Sequence, residues 1–218
     1  MSLKGSAFLA LWNDIDPARD DEYNLWHTRE HVPERVSVPG ILTGRRYVAR
    51  GAALHRYFTL YELASLAVLS TPAYQDLVAN PTPWSRSMRP SFRNFLRYPC
   101  ATTLSLGRGQ GGALATFRLG MSPSRSVVER LFDIDTVTAL HLGAADLSEP
   151  FPLQTAPVEH GPRHVLMVEA NDGDKLNTAL PTILSAIGPA EAQAYDAAYA
   201  VTRDDLDGVP APFRQPNR

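Results

Sequence analysis

The chain has 218 residues, of which 44% are apolar and 20% charged, a composition typical of a globular protein with one or two domains. Its net charge of −2 argues against a nucleic-acid-binding protein, which would carry a basic excess or stripe. No apolar run reaches the roughly 18 residues of a membrane-spanning helix. The one cysteine, Cys100, excludes a disulfide framework, and we interpret it as a packed residue rather than a nucleophile. These features predict a cytoplasmic protein that binds neither nucleic acid nor membrane.

Residues 1–106 are predicted to form one β-α-β-β-α-β unit. The apolar run 6–12 is typical of a strand, and Asp16 followed by Pro17 is a helix-start signal. Pro39 and Gly40 should end that helix. A hairpin is then predicted, with strands at 41–51 and 55–63. Mostly helical stretches at 65–80 and 84–95 follow, and a strand at 96–106 closes the unit.

The glycine-rich stretch 107–112, "GRGQGG", is predicted to be a linker, and the same element order recurs over 113–218. Because this stretch precedes a strand rather than a helix, it does not form a phosphate-binding loop. The second unit is predicted to have strands and helices at 113–121, 122–134, 136–147, 163–171, 173–187 and 195–205. A long connection at 148–162 replaces the hairpin of the first unit. The predicted fold is α+β, with tandem ferredoxin-like repeats that pack sheet to sheet as an intrachain barrel, whose interior can hold a small molecule.

One helix face carries most of the candidate chemistry, because residues spaced by three or four positions lie together. The residues on this stripe are Tyr23, Trp26, His27, Glu30 and His31. A neutral imidazole can take up and return a proton near neutral pH, and Glu30 could orient it or raise its pKa. The simpler alternative is that His27 and Glu30 face solvent and His31 is a hydrogen-bonded core residue.

The segment "HTREH" also matches H-x-x-E-H, the inverted zinc-protease motif. That motif needs a third ligand, and no glutamate occurs between Glu62 and Glu129. Pro33, two residues beyond the motif, should also bend the helix near His31. We therefore predict no metal site, with a divalent metal as the lesser alternative.

Several arginines are candidate binding groups for an anion. Arg45 and Arg46 are adjacent on a predicted strand, so only one of them can face a cavity. Arg86, Arg89 and Arg93 have helical spacing, for which a solvated helix face is favoured over an anion-binding patch.

Residues 22–47 resemble the first helix and second strand of the dimeric α/β-barrel superfamily, in particular its EthD-like and methylmuconolactone-isomerase-like members. The residues that match the pattern of these members are Trp26, His31, Pro33, Pro39 and Gly40, with Arg45, Arg46 and Tyr47 on the strand. The first helix of the second unit has no histidine, so the resemblance implies one site per internal pseudo-dimer. Association of two whole chains into a homodimer stays open.

The resemblance implies a cofactor-independent isomerase or monooxygenase that acts on an apolar or aromatic carbonyl, lactone or quinone-like compound. His31 would be the general acid or base, with His27 and Glu30 beside it. The residues expected to bind this small-molecule ligand are Tyr23, Trp26, Arg45, Arg46 and Tyr47. The alternatives are a non-catalytic binding or accessory protein, and a haem-binding protein whose axial ligand would be His141 or His164.

Overall fold

The computed structural model of the protein describes residues 3–148 and 161–207, so most of the predicted connection 148–162 lies outside the described residues. Its strands are β1 (Ala7–Ile15), β2 (Ile41–Ala49), β3 (Tyr57–Leu63), β4 (Phe92–Gly107), β5 (Ala113–Leu119), β6 (Val137–Ala145), β7 (His164–Ala170) and β8 (Ala190–Thr202). Its α-helices are α1 (Asp20–Trp26), α2 (Val32–Val36), α3 (Pro72–Ala79), α4 (Pro83–Met88), α5 (Arg125–Arg130) and α6 (Gly173–Ile187). Shorter 3-10 turns lie at Pro17–Arg19, Leu66–Ser70, Arg89–Ser91, Leu131–Asp133 and Asp204–Leu206. No helix in the described ranges combines the length and apolarity needed to span a membrane.

The eight strands close into one antiparallel barrel in the order β1-β3-β2-β8-β5-β7-β6-β4. Strands β1 to β4 are neighbours in the order β2-β3-β1-β4, and strands β5 to β8 in the order β6-β7-β5-β8. The two groups join edge to edge, through β2 with β8 and β4 with β6, and not face to face as predicted. Edge pairing satisfies the backbone groups of four strands that two open sheets would leave bare. The fold is therefore α+β with a closed eight-stranded barrel.

The predicted order of strands and helices is confirmed, but two bounds are wrong. β8 begins at Ala190, five residues before the strand predicted at 195–205, and the start of β4 was predicted to be helical. Residues 84–95 were predicted to be helical, but β4 begins at Phe92. Pro90 lies in the 3-10 turn Arg89–Ser91, where its missing N–H prevents a further helical turn. Asn94 then has a φ of 49°, so the early part of the strand is irregular.

Aromatic side chains fill part of the barrel interior. Phe58 contacts three other rings, with centroid distances of 5.0 Å to Trp12, 5.6 Å to Tyr195 and 5.7 Å to Tyr47. These four side chains are almost completely buried. This part of the interior is a packed core and does not contain the pocket described below.

A charged network occupies another part of the interior. The Arg45 guanidinium donates to Glu169 Oε1 at 2.8 Å and lies 3.1 Å from Glu62 Oε1. His141 Nε2 lies 3.2 Å from Glu169 Oε1, and the Gly111 amide donates to Glu169 Oε2 at 2.8 Å. Burial raises the pKa of Glu169, but the His141 hydrogen bond and the Arg45 charge outweigh it and lower the pKa to about 2. The connection between β4 and β5 is thus fastened to the barrel by a carboxylate, at Gly111, and Gly107 of the predicted linker belongs to β4.

The helices cover the outer face of the barrel, and α2 comes closest to it at Gly44 of β2. A β-carbon at Gly44 would lie 2.5 Å from a Val32 methyl group and 3.0 Å from one of Val36. Glycine is therefore required here for close packing of the helix against the sheet.

Replacement of Gly44 by alanine should lower the free energy of unfolding by about 1–3 kcal/mol, because the added methyl group forces α2 away from the sheet. Urea denaturation of the purified variant measures this loss. The matched control is Gly120→Ala, where an added β-carbon meets nothing within 4 Å. Equal stability of the two variants would contradict the close approach at Gly44.

Candidate active site

The predicted histidine-bearing helix is present, but it contains a wide turn. Helix α1, a π-helical turn at His27–His31 and α2 follow one another without a break, and we call this continuous element the histidine helix. At the end of the turn the Val32 amide donates to the carbonyl of His27, five residues back. Pro33 has no N–H to donate to the carbonyl of Arg29, so the regular α-helical hydrogen bond between these two residues cannot form. The predicted bend near His31 therefore takes the form of a π turn, a feature often found at functional sites.

A pocket lies between the histidine helix and the outer face of the sheet. Leu9 and Tyr61, which line it, pack with Val32 and Val36 of the helix, whereas the alternate strand residues point into the barrel. The non-atom space in and around the pocket is about 750 Å³, and this figure includes open solvent. Its lining residues are Leu9, Leu11, Asn13, Trp26, His27, His31, Arg35, Ile41, Thr59, Tyr61, Tyr74, Ser85, Arg89, Phe92, Phe95 and Arg97. The cavity that was expected inside the barrel thus lies outside it, under the helices.

His27 and His31 both line this pocket and stack with aromatic rings. The two imidazole centroids are 5.1 Å apart, Trp26 lies 4.4 Å from His31, and Tyr23 lies 5.0 Å from His27. Nδ1 of each histidine is buried and has no hydrogen-bond partner among the residues that the structure describes. Each imidazole therefore has an unused ring nitrogen.

Both imidazoles are neutral at pH 7. Burial lowers the pKa of His27 and of His31 well below 6.5, and nearby guanidinium groups lower both further. Arg46 is the main cation acting on His27, and Arg35 the main one acting on His31. The effect is opposite to the rise in pKa that was considered for a neighbouring Glu30. A neutral imidazole can accept a proton, as a general base must.

Glu30 holds the histidine helix against α4. Its Oε1 accepts hydrogen bonds from Trp26 Nε1 at 3.1 Å, Thr82 Oγ1 at 2.5 Å and Ser85 Oγ at 3.2 Å. Glu30 and His27 are each only 4% exposed, so the alternative that both face solvent is wrong. Glu30 fixes the Trp26 ring and is not among the residues that line the pocket.

The predicted substrate-binding residues divide between the two faces of the sheet. Arg45 and Tyr47 point into the barrel, where the Arg45 guanidinium donates to the Tyr47 hydroxyl at 3.1 Å. Arg46 points to the helix side, donates to Thr28 Oγ1 at 2.6 Å and lies 5.4 Å from the Tyr23 ring centroid. Of the predicted set only Trp26 lines the pocket, while Arg46 and Tyr23 support the histidine helix from behind.

Several pocket residues were not predicted, above all Arg35, Tyr61 and Arg97. Arg35 is four residues beyond His31, a helical spacing that could have identified it. The Tyr61 hydroxyl is buried without a partner among the described residues, and burial raises the pKa of that hydroxyl. Arg89 was predicted to share a solvated face with Arg86, but it lines the pocket whereas Arg86 is exposed.

The part of the chain that the structure describes contains no group of three or more histidine, cysteine, aspartate or glutamate side chains placed to hold a metal ion. Within the H-x-x-E-H segment, the Glu30 carboxylate is already engaged by three donors.

Comparison with known proteins gives matches to solved structures. No protein-family model and no curated protein matches the sequence. A crystal structure described as an anthrone oxidase-like protein has a TM-score of 0.64 at 9% identity, covering 93% of this chain and 96% of that one. A putative monooxygenase from Lactobacillus acidophilus has a TM-score of 0.52 at 8% identity, with 90% and 96% covered. A heme-binding protein from Thermus thermophilus has a TM-score of 0.53 at 10% identity, with 95% of each chain covered.

These similarities extend over nearly the whole chain and concern the fold alone. The chain has the dimeric α/β-barrel fold, as the resemblance of residues 22–47 predicted.

Proposed function

We propose that the protein is an enzyme that removes a proton from an enolisable aromatic or apolar small molecule, with His31 as the general base. The observation that carries this proposal is the position of the His31 imidazole, which has an unused ring nitrogen and lies in an aromatic pocket beside guanidinium groups. Burial also lowers the pKa of His31, which favours the neutral form that a base needs. His31 is the better candidate than His27 because it is less deeply buried and lies next to the Arg35 charge. The stacked His27 ring then keeps His31 in position.

The chemistry follows from these groups. His31 takes the proton from a carbon that is next to a carbonyl group, or conjugated with one through aromatic rings as in anthrone. The guanidinium charges that line the pocket stabilise the enolate that forms. Return of the proton to a different carbon completes an isomerisation. Alternatively the enolate reacts with dioxygen, which converts a CH₂ group into a carbonyl and releases the second oxygen atom as water, so that no external reductant is consumed.

Dioxygen uptake with anthrone is the assay that tests the proposal. Anthrone is a tricyclic ketone with an acidic CH₂ group, and a similar structure is described as an anthrone oxidase-like protein. Uptake above the uncatalysed rate would support the oxygenation route. An isomerase would instead exchange the α-hydrogens of a ketone with deuterium from the solvent without uptake of dioxygen. A protein that does neither and only binds ketones would be the carrier of the alternative hypothesis.

The pH dependence of kcat/KM provides a further prediction. Because the pKa of His31 is lowered, its neutral, active form persists below the ordinary histidine pKa. As the pH drops from neutral, kcat/KM should stay level through that ordinary pKa and fall only at lower pH. The measurement is initial dioxygen uptake across this range, with the uncatalysed rate subtracted at each pH. A midpoint at or above the ordinary histidine pKa would contradict a buried neutral base.

Haem binding is the second candidate, since similar structures are described as a heme-binding protein and a putative chlorite dismutase. His141 does not fit as an axial ligand, because its ring nitrogens contact Ser105 Oγ at 3.0 Å and Glu169 Oε1 at 3.2 Å inside the barrel. His164 begins β7 and does not line the pocket. An iron ligand would therefore come from His27 or His31, and a bound haem would supply redox chemistry at the iron.

Titration with hemin distinguishes the two candidates. A sharpened, shifted Soret band at one equivalent that is lost in His31→Gln would favour haem. An unchanged spectrum of free hemin would leave the proton-transfer enzyme.

We further propose that residues 1–106 and 113–218 are tandem ferredoxin-like repeats that form an internal pseudo-dimer. Support comes from the matching strand orders of the two groups and from their reciprocal edge pairs, β2 with β8 and β4 with β6. Only the first repeat then carries the pair of helix imidazoles that line the pocket, because α5, the corresponding helix of the second repeat, has no histidine. A cytoplasmic location stays a prediction.

A further inference from the structure

The pocket beside His31 is rich in arginine. Arg35, Arg89 and Arg97 line it, and they come from the histidine helix, the 3-10 turn after α4, and β4. No aspartate or glutamate is among the described residues that line it. Three separate elements thus place cations around one space that is otherwise mostly aromatic and aliphatic.

In the part of the chain that the structure describes, two of these cations form no ion pair. Neither Arg35 nor Arg89 forms an ion pair within 4.0 Å in the described ranges 3–148 and 161–207. The carboxylate that acts on both is Glu34, which lies next to Arg35 in the chain and does not line the pocket. Arg97 has partners of its own, so the inference rests on the other two arginines.

The contacts of these two guanidinium groups leave donors unused. Arg35 lies 5.9 Å from the Tyr74 ring centroid, and its buried Nη1 has no hydrogen-bond partner among the described residues. Arg89 donates through Nη2 to the Val78 carbonyl at 2.8 Å, which uses one of its five N–H groups. A buried donor without an acceptor is unfavourable, so a ligand that supplies the acceptor gains affinity.

We propose that the ligand of this pocket is an aromatic carboxylic acid, whose ionised carboxylate binds Arg35 and Arg89 while its ring lies against Trp26. A guanidinium group presents paired N–H donors that match the two oxygens of a carboxylate. The Trp26 ring, held by Glu30 and Ser85, offers a fixed aromatic surface beside the His31 imidazole. This inference rests on the proposed function for the position of the reacting carbon, but the binding of the carboxylate does not depend on any reaction.

The test compares 2-naphthoate with 2-naphthamide, which have the same ring and nearly the same shape and differ in charge. We expect isothermal titration of the wild-type protein to give a Kd for the acid at least ten-fold below that for the amide. Arg35→Gln and, separately, Arg89→Gln should each remove most of this difference, whereas Arg35→Lys should keep part of it. The matched control is Arg125→Gln, which removes the same charge from an exposed site on α5. A thermal unfolding curve for each variant shows whether it is folded, and the wild-type comparison needs no variant.

Equal affinity for both probes, or binding of neither at millimolar concentration, would overturn the inference. The same holds if the Arg125→Gln control lowers the affinity for the acid as much as Arg35→Gln does. His31→Gln separates this result from the proposed function, because it should lower turnover of anthrone strongly and leave the preference for 2-naphthoate over 2-naphthamide unchanged. A protein that prefers the acid but never turns over a ketone would retain the carboxylate site and refute the enzyme.

Discussion

Replacement of His31 by glutamine will lower kcat for ketone turnover by about 10²- to 10⁴-fold, the usual contribution of a positioned general base. Glutamine has a similar reach and can form hydrogen bonds, but it takes up no proton near neutral pH. Because the His31 ring packs on Trp26 and His27, the substitution also removes aromatic contact, and a modest rise in KM should accompany the loss of kcat. Steady-state dioxygen uptake, or α-hydrogen exchange followed by NMR, measures both parameters.

His164→Gln is the matched control, since it makes the same chemical change at the first residue of β7, outside the pocket. This control should keep kcat close to that of the wild type. The kcat of His27→Gln should lie between those of His31→Gln and His164→Gln, because His27 lines the pocket but acts mainly by holding the His31 ring in position. Retention of kcat within a few-fold in His31→Gln would sink the assignment of the base.

Replacement of Glu169 by alanine should lower the free energy of unfolding by about 3–5 kcal/mol, as expected when one partner of a buried ion pair is removed. The change leaves the Arg45 charge inside the barrel with Glu62 as its remaining carboxylate. It also removes the acceptor of the Gly111 amide in the linker and the partner of the His141 ring. Urea denaturation at pH 7, followed by tryptophan fluorescence, gives the loss directly.

The pH dependence of the free energy of unfolding in acid is a second test of the role of Glu169. The pKa of Glu169 falls from 4.5 to about 2 on folding, so its contribution is complete above pH 4.5 and is lost as the pH drops towards 2. The size of that contribution is about 3 kcal/mol, at roughly 1.4 kcal/mol per pH unit. Glu169→Gln should therefore lack this part of the wild-type pH dependence. The control Glu129→Gln breaks an exposed i,i+4 ion pair with Arg125 and should change the free energy of unfolding by less than about 1 kcal/mol. An equal loss of stability in Glu169→Gln and Glu129→Gln would contradict the buried network.

Local patterns were sufficient to predict the element order. The apolar run 6–12 predicted the first part of β1, which continues through the polar residues that follow to Ile15. The α6 helix also follows its apolar pattern, and Pro181 lies inside this helix without ending it. The start of β4 could not be predicted in this way, since its first residues have a polar, helix-compatible composition and become a strand by pairing Phe92 with Ile15. Barrel closure likewise depends on long-range edge pairing that no local window contains.

The candidate site was predicted in part for similar reasons. Helical spacing correctly grouped His27 with His31, and strand alternation correctly stated that Arg45 and Arg46 face opposite ways. Alternation does not tell which face is the inside of the barrel, so the pocket was expected on the wrong side of the sheet. Arg97 reaches the pocket from a strand far along the chain from His31, which only the tertiary fold brings near.

Strand β4 both lines the pocket and closes the barrel. Its first part carries Phe92, Phe95 and Arg97 into the wall of the pocket, and its last part, from Cys100 to Gly107, pairs with β6. A fragment of residues 1–107 would therefore keep the pocket but leave the edges of β2 and β4 unpaired. A second copy of the same fragment could pair with both edges. Such a barrel would hold two copies of the His27 and His31 pair, whereas the described residues of the single chain place this pair in one pocket. In the single chain, β8 and β6 take the place of a second copy at these two edges, so the barrel closes with one set of pocket residues.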